Sequence, residues 1–166
     1  MTSAPGIDPS LTLVRRIKAP PETLFAAFVE PAHILKWWGP DAGPTLLAET
    51  DVRVGGRFRV VFETLDGERH ENGGEYLEID PPARLVMAWW WASTPERRSR
   101  VTVSIRPISG GSELTVRHEM FFDQAARDSH LSGWNGALDK LEQLLAERNA
   151  IQSQPPSTDG DATWPS

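Results

Sequence analysis

The alternation of apolar and polar residues changes twice along the chain, which divides it into a mixed start, a long region of strands and a helical end. Residues 11–19, LTLVRRIKA, are an apolar and β-branched run typical of a strand. Two prolines then favour the start of an amphipathic helix, PETLFAAFVE. A second short helix, PAHILKWW, should end at the helix-stopping pair Gly39-Pro40. The start of the chain therefore predicts a strand followed by two short helices.

Short runs separated by turn signals, such as Gly55-Gly56 and Asp66-Gly67, fill residues 45–122 and predict an antiparallel meander. Within each run the apolar residues lie two apart, so they share one face of the strand and should line the covered side of the sheet. These sets are Phe58, Val60 and Phe62; Leu85, Met87, Trp89 and Trp91; Val101, Val103 and Ile105; and Leu114, Val116, His118 and Met120.

The segment GGEYLEI has no clear facing, because Leu77 and Ile79 share one side of a strand while Tyr76 takes the other. The acidic residues Glu75 and Glu78 lie three positions apart, which predicts opposite faces of the strand. Their spacing therefore does not predict a catalytic pair of carboxyl groups.

A single apolar stripe marks the last predicted element, a helix over about 125–148. The stripe consists of His130 or Leu131, Trp134, Ala137, Leu138, Leu141, Leu144 and Leu145. A helix with one apolar stripe and a sheet with one covered face should pack against each other. The pattern therefore predicts an α+β architecture with the helix on the sheet.

Composition limits the fold to one domain, over residues 11–148 of the 166. Residues 1–10 and 149–166 are rich in Pro, Ser, Gln, Asp and Gly without apolar periodicity, which predicts disordered tails. The net charge is −6 and the basic residues are scattered, so nucleic acid is not an expected partner. Without cysteine, a signal-like start or a membrane-length apolar run, we expect a cytoplasmic protein with no membrane partner.

Motifs for catalysis, phosphate binding or metal binding are absent from the sequence, including GxSxG, the P-loop, GxGxxG and HExxH. The histidines at 33, 70, 118 and 130 lack the local spacing of metal ligands, so we expect neither a metal nor a cofactor. His118 interrupts the apolar face of a strand and must be satisfied there. It is either a core histidine bonded to a neighbour or water, or a group that faces a cavity and contacts ligand.

The run MAWWWAS places three tryptophans side by side, and strand alternation divides them between two faces. Trp89 and Trp91 should share the covered face, while Trp90 should lie on the outer face, where it suits a homodimer contact or a cover from the tail. Indole walls with few polar groups are typical of a pocket for an apolar small molecule. The alternative is a solid core that the same rings fill.

Four stretches resemble a known family in order and spacing: WWGP (37–40), VRVGGRFRV with DG (52–67), EIDPPARLVMAW (78–89) and HLSGWNGALDKL (130–141). Over about residues 11–146 the chain is similar to the activator of heat-shock protein 90 ATPase family, in the START-like, SRPBCC superfamily. The matching residues are Trp37, Trp38, Gly39, Pro40, Gly55, Gly56, Gly67, Asp80, Pro81, Pro82, Trp89, Gly133 and Trp134.

This resemblance implies the helix-grip fold. In that fold a seven-stranded antiparallel sheet wraps around a long C-terminal helix, two short helices lie between strands 1 and 2, and a cavity lies between helix and sheet. We expect a non-catalytic carrier or sensor that binds a hydrophobic or aromatic small molecule there. The expected cavity-lining residues are Trp37, Phe58, Val60, Phe62, Met87, Trp89, Trp91, Val103, Val116, His118, Trp134 and Leu138.

Two other functions fit the same sequence. The first is an enzyme of the polyketide-cyclase or dehydratase kind, in which His118 works with Tyr76 or a carboxylate as acid and base. The second is a module that binds a chaperone or another protein through the outer face of the sheet. A titratable partner within reach of His118 would favour the enzyme, and a filled core with an apolar outer patch would favour the protein partner.

Overall fold

The structure, a computed structural model, describes residues 9–153. Its elements are β1 (Leu11–Ile17), α1 (Pro21–Val29), α2 (Pro31–Trp37), β2 (Thr45–Thr50), β3 (Arg57–Glu63), β4 (Arg69–Asp80), β5 (Arg84–Trp91), β6 (Ser99–Ile108), β7 (Gly111–Glu119) and α3 (Gln124–Ser153). The strands form one antiparallel sheet in the order β1-β7-β6-β5-β4-β3-β2. The predicted α+β helix-grip architecture is confirmed.

The two short helices follow from the positions of their prolines. Each helix begins at a proline, whose fixed φ suits the first turn and whose missing N–H would have no helical partner there. Glu30, in extended conformation, ends α1 and precedes α2. Trp38 ends α2, and Gly39 then adopts a φ of +99°, a value that L side chains rarely adopt. The chain therefore turns sharply directly after Trp37 and Trp38.

The inner face of the sheet carries the alternation that the sequence predicts for β5. Leu85, Met87 and Trp89 are buried, and Trp91 is partly buried. Trp90 lies on the outer face, where the Arg98 guanidinium stacks 4.3 Å from its ring centroid. Over the inner face, α3 presents its predicted stripe, of which Trp134, Ala137, Leu138, Leu141 and Leu145 are buried.

Strand β4 contains an irregularity at Leu77, which inserts one extra residue relative to β5. On either side of it Tyr76 and Ile79 are paired with inward-facing residues of β5, so both face the core. Glu75 and Glu78 consequently share the outer face. The prediction of opposite faces for these glutamates is wrong, because uninterrupted alternation cannot show a bulge.

The end of β7 also departs from simple alternation. Met120 has a φ of +66° and is 46% exposed, so it does not continue the inner face as predicted. The turn instead places Phe121 in the core, 4.2 Å from His118 between ring centroids. Phe121 thus replaces Met120 as the last core residue of this strand.

One contact and the last helix extend past residues 11 and 148, the bounds that the sequence pattern gives. At the N-terminus, Arg127 donates a hydrogen bond of 2.8 Å to the carbonyl of Ser10. At the C-terminus, α3 continues to Ser153, past the predicted end at 148, because no proline or glycine interrupts the sequence before Pro155. Residues 1–8 and 154–166, which hold the rest of the predicted disordered tails, lie outside the described residues. None of the described helices is long and apolar enough to cross a membrane.

Candidate functional site

A cavity of about 590 Å³ lies between the sheet and the first half of α3. Its walls come from the end of α2 and the turn after it, from β3, β4 and β5, and from α3. The lining residues are Trp37, Trp38, Gly39, Pro40, Phe62, Thr64, His70, Asn72, Trp89, Trp91, Ser129, His130, Ser132, Gly133, Trp134 and Ala137. Ser129 and Ser132 are exposed, so this side of the cavity faces solvent.

The predicted cavity residues divide into two groups. Those that line the cavity are Trp37, Phe62, Trp89, Trp91 and Trp134. Those that are buried in the core without lining it are Phe58, Val60, Met87, Val103, Val116, His118 and Leu138. Of the second group, Val103, Val116 and His118 lie on β6 and β7, the two strands against which α1 packs. A solid core and an open cavity therefore lie side by side.

Several lining residues were not predicted from the sequence. His70 and Asn72 lie on the inner face of β4, four and two residues before Gly74 respectively, and Asn72 is fully buried. The available signal in the sequence was Tyr76, which lies an even number of positions from both residues and so shares their face. In the structure Tyr76 is buried, so that face points inward. The others not predicted are Trp38, Gly39, Pro40, Thr64, Ser129, His130, Ser132, Gly133 and Ala137.

Hydrogen bonds fix four of the five cavity indoles. Trp37 donates to the carbonyl of Ala27 at 2.9 Å, and Trp38 donates to the Asn72 amide oxygen at 3.0 Å. The other two donate to imidazoles: Trp91 to His130 Nε2 at 3.1 Å, and Trp134 to His118 Nδ1 at 3.0 Å. Because an indole N–H can only donate, each bond identifies its partner atom as an acceptor.

His118 is a satisfied core histidine behind the cavity wall. Its Nδ1 accepts from Trp134, so Nε2 carries the proton and donates to Ser99 Oγ at 2.7 Å. The Ser99 hydroxyl in turn donates to the carbonyl of Trp89 at 3.0 Å. Burial lowers the pKa of His118 well below its ordinary value, and the nearby His130 lowers it further. The imidazole is therefore neutral, with both nitrogens in use.

His130 has the opposite tautomer. Its Nε2 accepts from Trp91, so Nδ1 carries the proton and donates to the Ala126 carbonyl at 2.7 Å. Burial lowers the pKa of His130, and the bond to Ala126 partly offsets that effect. The two imidazole rings lie 5.0 Å apart between centroids. Both are neutral, and each accepts a hydrogen bond from one indole N–H.

The site brings together little acid–base chemistry. Tyr76 packs 5.4 Å from Phe58 between ring centroids, in the filled part of the core, and burial raises its pKa. It is not among the hydrogen-bond partners of His118, which are Ser99 and Trp134. Among the described residues no Asp, Glu, Lys or Arg lines the cavity, and no three His, Asp or Glu side chains converge to hold a metal ion.

The turn that follows α2 contacts α3, and these contacts form one side of the cavity mouth. The Lys140 ammonium donates to the carbonyls of Trp38 at 3.0 Å and Asp41 at 2.6 Å. Burial lowers the pKa of Lys140, and the charge of Asp41 partly offsets that effect. Gly136 lies so close to this turn that a Cβ atom there would stand 2.0 Å from the Pro40 carbonyl oxygen. The stretches WWGP and HLSGWNGALDKL therefore meet in space.

A curled antiparallel sheet that holds a long C-terminal helix over an open cavity defines a START-like protein of the helix-grip class. Within that class the chain belongs to the family described as "Activator of Hsp90 ATPase homolog 1-like protein", whose model matches residues 18–146. No curated protein matches the chain.

Solved bacterial structures share the fold. A Chromobacterium violaceum protein is 28% identical, with 82% of this chain and 96% of that chain covered and a TM-score of 0.76. The AHSA1 protein from Silicibacter pomeroyi is also 28% identical, with 84% and 99% covered and a TM-score of 0.73. An AHSA1-like protein from Aeromonas hydrophila is 19% identical, with 89% and 99% covered and a TM-score of 0.73, and supports the fold alone.

Proposed function

We propose that the protein binds a small, predominantly apolar molecule in the cavity between its sheet and α3, as a carrier or sensor without catalysis. The observation that carries this proposal is the cavity of about 590 Å³ walled by Trp37, Trp38, Trp89, Trp91 and Trp134. This volume lies within the range of about 300 to 1,000 Å³ that small-molecule sites occupy. Aromatic walls bury flat, apolar ligands well.

A non-catalytic role is supported by the state of the two buried imidazoles. General acid–base catalysis needs a titratable group whose proton can reach the substrate. Both nitrogens of His118 and both of His130 are held by hydrogen bonds within the protein. An enzyme that used His118 or His130 as its acid or base would have to give up one of these bonds during turnover.

The family description supports a second candidate, a chaperone-associated interaction module. For this role the partly exposed Trp90, stacked with Arg98 on the outer face, is the surface to test. The ATPase rate of a purified bacterial Hsp90, with and without the protein, measures this role directly. A rate that the protein changes and Trp90→Ala restores would favour the module over the carrier.

Fluorescence titration with the neutral apolar probe N-phenyl-1-naphthylamine tests the carrier role. We expect binding in the micromolar range with energy transfer from tryptophan, weakened in Trp89→Phe and Trp91→Phe because both rings line the cavity. Trp90→Phe is the matched control, since its ring lies on the opposite face of the same strand. Equal loss in all three variants, or no binding by the wild type, would refute the proposal.

A further inference from the structure

Two buried side-chain nitrogens, each from a residue of the cavity lining, have no hydrogen-bond partner among the described residues. They are the Asn72 side-chain nitrogen and the indole nitrogen of Trp89. Asn72 is 0% exposed and Trp89 is 5% exposed, and both residues line the cavity. Buried polar groups are nearly always satisfied, so two unsatisfied donors beside one cavity call for an explanation.

The register of the sheet places Asn72 and Trp89 close together. Asn72 lies opposite Trp91, and Gly74 lies opposite Trp89, in the pairing of β4 with β5. Asn72 and Trp89 are therefore diagonal neighbours on the inner face, with Cα atoms about 7 to 8 Å apart in such an arrangement. Gly74, which lies opposite Trp89 and two residues from Asn72, has no side chain, and the Phe58 ring lies over it, with ring atoms 2.6 Å from where a Cβ atom of Gly74 would stand.

The orientation of the Asn72 amide is determined by its neighbour. Trp38 Nε1 can only donate, and it contacts the amide at 3.0 Å, so the atom it contacts is the oxygen. The NH₂ group is left over as a donor. Trp89 is likewise the exception among the cavity indoles, because Trp37, Trp38, Trp91 and Trp134 all donate within the protein.

We infer that the ligand of this cavity carries a neutral carbonyl group, whose oxygen accepts hydrogen bonds from Asn72 and Trp89. This inference rests on the proposed function and specifies its ligand class. A carbonyl oxygen has two lone pairs and can accept from both donors at once. An anionic acceptor fits less well, because no Lys or Arg lines the cavity among the described residues and a buried charge without a countercharge is costly.

A matched pair of rigid three-ring molecules tests the inference. Fluorenone carries one neutral carbonyl, and fluorene has a methylene group in its place, so the two differ little except for the acceptor. We expect the preference of the wild type for fluorenone over fluorene, measured by calorimetry, to fall about tenfold in Trp89→Phe. In Trp91→Phe, which removes an indole whose N–H is already used by His130, both affinities should fall together and their ratio should stay.

The carbonyl stretching frequency of bound fluorenone gives a measurement that requires no variant. Hydrogen bonding should lower this frequency in the wild type relative to a hydrocarbon solvent, and the shift should shrink in Trp89→Phe. If Trp89 only supports the packing of the wall, the carbonyl frequency of bound fluorenone should be the same in the wild type and in Trp89→Phe.

The outcomes separate this inference from the proposed function. If fluorenone and fluorene both bind, but the ratio is the same in all variants and the carbonyl frequency is that of a hydrocarbon solvent, the carbonyl inference is refuted and the carrier role stands. If neither binds, the carrier role fails. If fluorene-9-carboxylate binds the wild type more tightly than fluorenone does, the acceptor is an anion and the inference is again overturned.

Discussion

A pair of glycines three residues apart in α3 gives the sharpest test of how the cavity mouth is built. Alanine is favoured over glycine inside a helix by about 0.8 to 1.0 kcal/mol, so either Gly133→Ala or Gly136→Ala would gain stability from this source alone. The surroundings of the two positions differ. A Cβ atom at Gly133 would have its nearest neighbour, Pro40 Cβ, at 3.7 Å, which is an ordinary contact.

At Gly136 the same Cβ atom would stand 2.0 Å from the Pro40 carbonyl oxygen and 2.9 Å from its carbonyl carbon. The turn would have to move by more than 1 Å, and its two hydrogen bonds with Lys140 would be broken or weakened. At this half-buried position each bond contributes about 1 kcal/mol, and forced overpacking costs about 1 to 3 kcal/mol more. After the helical gain is subtracted, we expect Gly136→Ala to destabilise the domain by about 1 to 3 kcal/mol.

Urea unfolding followed by circular dichroism measures both variants under identical conditions. Gly133→Ala should raise the midpoint and Gly136→Ala should lower it, with unchanged m values. Gly136→Ala should also weaken probe binding, because the displaced turn carries Gly39 and Pro40 of the cavity lining. If Gly136→Ala is as stable as Gly133→Ala, the turn does not rest on the helix as described.

Four further outcomes follow from the same contacts. Trp134→Ala should cost about 3 to 5 kcal/mol of unfolding free energy by denaturation, because it deletes a buried ring, and Trp134→Phe should cost less while leaving His118 Nδ1 without its donor. The pKa values of His118 and His130 are lowered in the folded state, so the unfolded chain binds protons more readily at these residues. The stability that the neutral imidazoles contribute is fully present above an unfolded pKa near 6.5. It is lost as pH falls toward the folded pKa values, at up to about 1.4 kcal/mol per pH unit for each group. Urea midpoints between pH 7 and 5 should show this loss, with a smaller slope in His130→Gln. If Trp90 forms a homodimer contact, sedimentation on dilution should show weaker self-association in Trp90→Phe; equal profiles would assign the ring another role. Removal of residues 154–166, which are polar and rich in proline, should change the unfolding free energy by less than about 0.5 kcal/mol, and a larger loss would show that the segment packs on the domain.

The fold could be predicted from the sequence because its signals are local and repeated. Turn pairs separate the strands, prolines begin the two short helices, and one apolar stripe marks α3. The two errors in the facing of strand residues occurred where one residue interrupts the period. The extra residue at Leu77 reversed the facing of Glu78, and the left-handed backbone of Met120 sent Phe121 into the core in its place. Periodicity cannot show such interruptions, because neither Leu nor Met is a residue type that marks a bulge or a left-handed backbone.

The extent of the cavity was less accessible to sequence reasoning than the fold. Alternation identifies the inner face of a strand, but it does not show which part of that face a helix covers. Val103 and Val116 have the same pattern as Trp89, yet α1 packs against their strands, and they belong to the filled core. The polar residues His70 and Asn72 looked unlike cavity residues because the facing of β4 depends on a bulge.

The aromatic rings around the cavity hold one another in fixed orientations. Trp89 meets Trp91 at 87° and His130 at 80°, and His118 meets His130 at 76°. These edge-to-face contacts hold the ring centroids about 5 Å apart, an arrangement that aromatic pairs favour. The bonds from Trp91 to His130 and from Trp134 to His118 also hold these rings in place, since rotation into the cavity would leave a buried donor and a buried acceptor unsatisfied. His118, the acid–base candidate of the sequence analysis, and His130 therefore hold two indoles of the wall in place, and a rigid wall reduces the ordering that a ligand must impose on binding.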